Sequence, residues 1–306
     1  MYELIIVGSG PAGLSAAIYA GRAGLSALVI EEQPLSGGQI INTYEVDNYP
    51  GIPGVSGFDL AQKMRQHAQE AGTEFSTERV VGMEVAETVK KIRLPEKELC
   101  ASAIILATGA EYRRLGVPGE KELTGKGVSY CATCDGAFFR GRSVAVVGGG
   151  DVALEDAIFL ARGCEKVYLI HRRGELRGAR RLQEQVFGIE NIEVRYHTVV
   201  KAIRGSGQVE QIDVCRKDLD TCESLMVSGV FVAVGMLPRQ EALPEGIAQD
   251  ENGYVVADET CCTNIDGVFA AGDIRTKQLR QVVTAVADGA NAVTSAERYL
   301  NSCRNK

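Results

Sequence analysis

The sequence predicts an α/β fold of two Rossmann-like domains, the second inserted into the first. Three observations predict it: a strand, glycine turn and helix at the start of the chain, the same arrangement again near residue 143, and a late strand, GVFAAGDI, that returns to the first unit's pattern. At 306 residues the chain is long for one core and comfortable for two.

Residues 4–7 (LIIV) read as a short buried strand running into GSGPAG, with Gly8, Gly10 and Gly13 in a G-x-G-x-x-G pattern. LSAAIYAGRAG follows as a helix, then SALVI as a second strand ending at Glu31. This is the dinucleotide-binding βαβ unit. Its glycines let the backbone approach a pyrophosphate at the helix N-terminus, and its terminal acid can accept hydrogen bonds from ribose hydroxyls.

SVAVV (143–147) then runs into GGGDVA, with Gly148, Gly150 and Ala153 at the three positions, DVALEDAIFLARG as the helix and KVYLI as the second strand. The two units end differently. Glu31 lies 23 residues after Gly8, and the same count from Gly148 reaches His171, followed by Arg172 and Arg173. The stretch HRRGELRGARR holds five arginines in eleven residues, Arg177 among them. An acid suits a free ribose diol and cations suit a 2′-phosphate. The second unit is therefore expected to take NADPH and the first a different dinucleotide, most simply FAD.

ASAIILATGAEYRRLGVPG (101–119) reads as a strand closing on Ala107-Thr108-Gly109 before a linker-like Gly-Val-Pro-Gly. GVFVAVGMLPRQ (229–240) closes the second unit, and GVFAAGDI (267–274) ends at Gly272 and Asp273. Residues 112–240 are placed as the insert, with 1–111 and 241–306 forming the outer domain. Val282, Val283, Val286, Ala290 and Val293 recur near helical spacing, which predicts a final helix over 278–300. Charged and apolar residues alternate between 80 and 98, as in a strand meander on the outer domain.

Composition narrows the function classes. A hydrophobic content of 45% with 24% charged residues is ordinary for a soluble globular protein, and a net charge of −7 argues against nucleic acid or an acidic membrane as partner. No apolar run approaches the ~20 residues of a membrane span, and MYELIIVGSG is too short and too acidic for a signal sequence. Nine cysteines, an odd number without an export signal, point to a reducing cytoplasm and away from a disulfide framework.

Between the two glycine turns lies SYCATCDGAFF (129–139), with Cys131 and Cys134 two residues apart and Asp135 directly behind. Such a pair can be half a zinc site, a redox pair or two inert thiols. Zinc needs two more ligands; adjacent Cys261 and Cys262 make a poor chelate half and His67, His171 and His197 are scattered, so no metal site is expected. Asp-Gly behind the pair favours an exposed turn over buried, inert thiols. The remaining cysteines (100, 164, 215, 222, 261, 262 and 303) are expected to be small apolar fillers or surface thiols. A hydride donor, a flavin and a dithiol form a sensible electron chain, NADPH to FAD to the cysteine pair.

In this order, GSGPAG, GGQ (37–39), CATCDG (131–136), GGGDVA (148–153), HRRxxxR (171–177), AAGD (270–273) and RQ (280–281) resemble the low-molecular-weight bacterial thioredoxin reductases across the whole chain. The resemblance implies a homodimeric FAD enzyme whose inserted NADPH domain carries the redox cysteines, with thioredoxin as the protein substrate. It implies that Gly38, Gln39 and Asn48 face the flavin or its ribitol, that Gly272 and Asp273 meet the ribitol chain, and that Arg280 and Gln281 meet the isoalloxazine end. Gly148, Gly150 and Asp151 would then line the NADPH site, and Arg172, Arg173 and Arg177 would hold its 2′-phosphate. Cys134 would be the flavin-facing sulfur, Cys131 the attacking one, and Asp135 the proton carrier. Three positions depart from the family pattern: Asp151 where many relatives have Asn, Glu175 inside the arginine cluster, and Gly235-Met236-Leu237 without a polar residue after the glycine. Rival readings on the same scaffold are a reductase of another dithiol carrier and one fed by NADH or ferredoxin. A ferredoxin–NADP reductase would lack the cysteine pair, and a redox sensor would bind the same groups without turnover.

Overall fold

The computed structural model describes every residue except 44, 45, 47, 87, 305 and 306. The chain divides into two compact units, Met1–Glu111 with Leu237–Lys306, and Tyr112–Met236. Each is an α/β unit, the fold class that the paired glycine turns predict.

The first unit contains β1 (Tyr2–Val7), α1 (Pro11–Arg22), β2 (Ala27–Glu31), α2 (Gly57–Glu70), β3 (Glu74–Thr77), β4 (Gly82–Val85), β5 (Lys90–Arg93) and β6 (Glu98–Leu106), and ends within β7 (Ala110–Tyr112). After the second unit it resumes within β16 (Met236–Pro238) and continues with β17 (Val268–Ala270) and α6 (Val282–Arg304). Its sheet runs β3-β2-β1-β6-β5-β4, with β17 also on β6. The central pairs are parallel and the β4-β5 meander is antiparallel. One strand serves two neighbours on the same side: β6 pairs with β5 through residues 98–101 and with β17 through 104–106.

Both sheet faces are covered, which is why β1 and β6 read as unbroken apolar runs. Leu4 and Ile6 point to the face packed by α1 and α6, whereas Ile5 and Val7 point to the face shared with Ile92, Val255 and Ile274. Each such side chain, once withdrawn from water, contributes about 1.5–3 kcal/mol to the drive for folding. Helices α1 and α6 pack closely: Ser15 donates to the Val286 carbonyl at 2.7 Å, and a Cβ on Gly289 would come within 2.2 Å of the Ala12 carbonyl oxygen. The final helix begins at Val282, four residues later than the apolar spacing predicts, because the Gln281 amide donates to Thr284 Oγ1 and residues 278–281 stay in a loop.

The second unit contains β8 (Val128–Ser129), α3 (Ala132–Asp135), β9 (Ser143–Gly148), α4 (Asp151–Ala161), β10 (Lys166–Ile170), α5 (Arg180–Phe187), β11 (Ile192–Arg195), β12 (Thr198–Arg204), β13 (Gln211–Arg216), β14 (Thr221–Met226) and β15 (Gly229–Ala233). A five-stranded parallel sheet has the order β11-β10-β9-β15-β8, and β12-β13-β14 form a separate antiparallel sheet. Phe231, Leu154 and Leu169 fill one core, and Ile212, Val214 and Val230 fill another. One expectation is overturned here. Cys215 and Cys222, expected to be unpaired, form a disulfide across β13 and β14, because the hairpin register sets them directly opposite each other. Cys100, Cys164, Cys261, Cys262 and Cys303 are free thiols. Among the described residues no helix is long and apolar enough to cross a membrane.

Candidate functional site

In the first unit the glycine turn separates two jobs. A Cβ on Gly8 would lie 2.4 Å from the Ala107 carbonyl oxygen, and one on Gly13 would lie 1.9 Å from that of Gly8, so both glycines allow strand and helix to approach. A Cβ on Gly10 meets nothing within 4 Å. Gly10 is thus the open edge, at the N-cap of α1, whose unpaired amides suit an anion.

Glu31 ends β2 beside this turn. One carboxylate oxygen accepts from the Ser9 amide at 2.9 Å and the Ser9 hydroxyl at 2.8 Å, and the other accepts from the Gln33 amide at 2.9 Å. Ser9 is a partner that the motif alone does not reveal. Gly38 is packed within 3.3 Å of the Gly10 Cα as gauged from its Cβ position, and the Gln39 side chain donates to the Ala110 carbonyl. Asn48 donates to Gln281 Oε1 at 2.9 Å, joining two predicted site residues from distant sequence.

The turn after β17 lies on the first turn of α1: a Cβ on Gly272 would meet the Ala12 Cβ at 2.8 Å. Asp273 is largely buried, and burial raises its carboxyl above the usual carboxylate range. Its Oδ1 has no hydrogen-bond partner among the described residues, and neither has Arg280 Nε. The Arg280 guanidinium lies 4.0 Å from the centroid of Tyr254. A buried carboxylate oxygen left without a donor marks a place for a hydroxyl-bearing ligand.

Asp288 on α6, absent from the sequence reading, organises that turn. It accepts from the Gly272 amide at 2.9 Å, from Arg275 at 2.8 and 2.9 Å and from Lys277 at 2.7 Å. Burial alone would raise its carboxyl; the hydrogen bonds from Arg275 and Lys277 hold it below the usual range. Cys261 donates to the Asp288 carbonyl, and burial pushes its thiol up to about 12. Its neighbour Cys262 is exposed, and both are free thiols.

The second unit repeats the turn. A Cβ on Gly148 would meet the Ala233 carbonyl oxygen at 2.4 Å and Ala153 at 2.6 Å, whereas one on Gly150 has nothing within 4 Å. His171 is buried and donates from Nδ1 to the Gly148 carbonyl at 3.0 Å; burial lowers its pKa. The arginine loop is pinned to the same turn, since the Arg177 and Gly178 amides both donate to the Gly149 carbonyl. Asp151 accepts from the Ala179 amide at 2.6 Å and so ties the loop to the start of α4. Arg172, Arg173 and Arg177 are exposed, and among the described residues neither Glu175 nor any other carboxylate forms an ion pair with them. Burying no charge of their own, they are available to an anion.

Cys131 and Cys134 form a disulfide with Cα atoms 5.3 Å apart, Cys131 being the N-cap of the single turn α3. Ser129, from β8, accepts from the Cys131 amide at 3.1 Å and donates to Asp135 Oδ2 at 2.6 Å. Burial raises the Asp135 carboxyl, and the Ser129 hydrogen bond offsets part of that rise. A carboxyl inclined to hold its proton thus stands one residue from the redox bond. Among the described residues no group of metal-binding side chains gathers around it.

Two glycine turns with open edges, an orphaned buried carboxylate oxygen and a Cys-x-x-Cys disulfide constrain the family. The profile of the pyridine nucleotide-disulphide oxidoreductases matches residues 2–289. The chain belongs to that family. Membership makes it an oxidoreductase served by a flavin and a pyridine nucleotide, and the open turns and the orphaned Asp273 oxygen fit both groups. It is 45% identical to a thioredoxin reductase of Peptoclostridium acidaminophilum, covering 99% of this chain and 98% of that one. It is 44% identical to a thioredoxin reductase of Listeria innocua over 99% of this chain and 95% of the relative. The crystal structure of thioredoxin reductase from Streptococcus pyogenes superposes with a TM-score of 0.93 at 41% identity, covering 99% of each chain. The resemblance drawn from CATCDG and its flanking motifs therefore extends over the full length.

Proposed function

We propose that the protein is an NADPH-dependent thioredoxin reductase with FAD in its first unit and NADPH in its second. The observation that carries the proposal is the Cys131–Cys134 disulfide beside Asp135, whose carboxyl burial raises, in a chain whose relatives are thioredoxin reductases. When bound, the flavin and the nicotinamide supply the hydride and electron-pair chemistry that no side chain can.

The side chains bind, orient and move protons. Gly10 and the α1 amides receive the FAD pyrophosphate, Glu31 its adenosine ribose, and Asp273 its ribitol, with Gly38, Gln39, Asn48, Arg280 and Gln281 toward the ring. Gly150 and α4 receive the NADPH pyrophosphate, while Arg172, Arg173 and Arg177 take the 2′-phosphate. Two electrons open the Cys131–Cys134 bond. The Cys131 thiolate then attacks the disulfide of thioredoxin, and Cys134 resolves the mixed disulfide. Asp135 holds the proton that thiolate and thiol exchange. The same reading makes the protein a cytoplasmic homodimer.

Purified protein with NADPH should reduce a thioredoxin disulfide many times per flavin, and Cys131→Ser and Cys134→Ser should each abolish turnover. Sustained turnover by either variant would refute the reading. NADH should bleach the flavin much more slowly than NADPH, and equal rates would remove the arginines from their proposed role.

A further inference from the structure

The second disulfide has a setting unlike that of a structural staple. Cys215 and Cys222 face each other across β13 and β14, with Cα atoms 4.1 Å apart. The ladder continues on both sides of them, from Gln211–Met226 to Arg216–Thr221, and β13 is also paired with β12. The hairpin is therefore also held by backbone hydrogen bonds, and the S–S bond closes only the short loop between residues 215 and 222, the setting in which a cross-link constrains the unfolded chain least. Side-chain alternation puts the bond on the outer face: Ile212 and Val214 are buried on the other side, while Cys215 is half-buried and Cys222 exposed. The surroundings are polar. Arg204 and Ser224 hydrogen-bond Asp213 on the outer face, and Arg216 pairs with Asp218 in the turn. An exposed bond whose strands are also paired by a backbone ladder is open to attack by a thiolate.

We propose that Cys215–Cys222 is a second thiol–disulfide exchange site, taking a dithiol protein as reductant. The donor thiolate attacks the Cys222 sulfur; the Cys215–Cys222 bond breaks, and the Cys215 sulfur leaves as a thiolate that takes a proton from water. The donor's second thiolate then attacks its own sulfur in the mixed disulfide, releasing Cys222 as a thiolate that is protonated in turn. One disulfide is reduced, one dithiol is oxidised, and two electrons pass between them. Resting on the function proposed above, the donor is reduced thioredoxin, so the chain is a substrate of its own product.

The test alkylates the oxidised holoprotein and locates the label by mass spectrometry. Dithiothreitol serves as the first reductant, because it reports on the bond whatever the physiological donor is. Before reduction Cys215 and Cys222 should carry no label; after native-state reduction both should. A thioredoxin lacking its resolving cysteine should be trapped on Cys222. Three results would overturn the proposal: labelling of both residues before reduction, protection of both under conditions that fully reduce Cys131–Cys134, or a trapped adduct on Cys215. The Cys215→Ser/Cys222→Ser double variant should stay folded with the urea midpoint of the reduced parent, and loss of its folded state would make the bond a structural one. If dithiothreitol opens the bond and thioredoxin does not, the product-feedback clause falls, and NADPH turnover of thioredoxin still judges the enzyme reading separately.

Discussion

Replacing Gly10 and Gly13 by alanine should have opposite effects, although both belong to one motif. At Gly10 the backbone has φ −69° and ψ −178°, which any residue adopts, and the new methyl meets nothing within 4 Å. Flavin-free Gly10→Ala should therefore gain about 0.4–1 kcal/mol by narrowing the unfolded ensemble. At Gly13 the methyl would stand 1.9 Å from the Gly8 carbonyl oxygen, so strand and helix must part, and such overpacking costs about 1–3 kcal/mol. The two variants should then differ by about 1.5–4 kcal/mol in urea unfolding of the flavin-stripped protein, followed by circular dichroism. Flavin binding should reverse the ranking for Gly10→Ala, because the methyl occupies the edge assigned to the FAD pyrophosphate in the proposed function. A loss of at least tenfold, about 1.4 kcal/mol, is expected in flavin fluorescence titrations. Equal destabilisation of the two variants, or unchanged flavin affinity in Gly10→Ala, would refute the division of roles.

Asp288→Asn leaves the buried Arg275 and Lys277 without their shared counter-charge and should cost the first unit about 3–5 kcal/mol, read as a lower urea midpoint. Because the folded Asp288 carboxyl is depressed, its contribution is present above the unfolded pKa and lost as pH falls through the folded one, so the variant should show a shallower acid transition than the parent. Asp156 behaves in the opposite sense: burial, with a smaller push from Glu155, raises it to about 7. Its native form holds the proton more tightly, so stability falls as pH rises from the unfolded value toward 7, and Asp156→Asn should be more stable than the parent at pH 8, by up to about 4 kcal/mol in urea titrations. Asp135→Asn should lower thioredoxin turnover by about 10²-fold while leaving the flavin spectrum unchanged, and an unaffected rate would remove its role in proton transfer.

Much of the fold was legible because the βαβ code is local. LIIV, the glycine turn, an alanine-rich helix and a strand ending in Glu31 are contiguous, and the same holds for residues 143–170. The antiparallel β12-β13-β14 sheet was not legible, since only Leu225 is buried in TCESLM and no alternation survives in β14. The disulfide in that sheet was hidden for a related reason. Spacing alone does not say that residues 215 and 222 stand in register; the hairpin ladder does. Asp288 left a faint trace as an acid among the alanines and valines of the first half of α6, but its partners Gly272, Arg275 and Lys277 come from a loop whose path no periodicity reports. The Asp151 departure has a local role, which the bond to the Ala179 amide supplies.

The interrupted chain of the first unit also sets an order of assembly during synthesis. Strand β6 is available once Leu106 has emerged, yet its neighbour β17 begins only at Val268 and the helix covering α1 only at Val282. The last strand of the inserted unit ends at Ala233, so every strand of that unit has been translated 35 residues before β17 begins. A ribosome-bound chain can therefore complete the inserted unit while the alanine face of α1 still lacks its cover. Domains whose chain is continuous fold in the order they are made. Here the unit begun first is finished last, and its uncovered helix is the surface that a chaperone would meet.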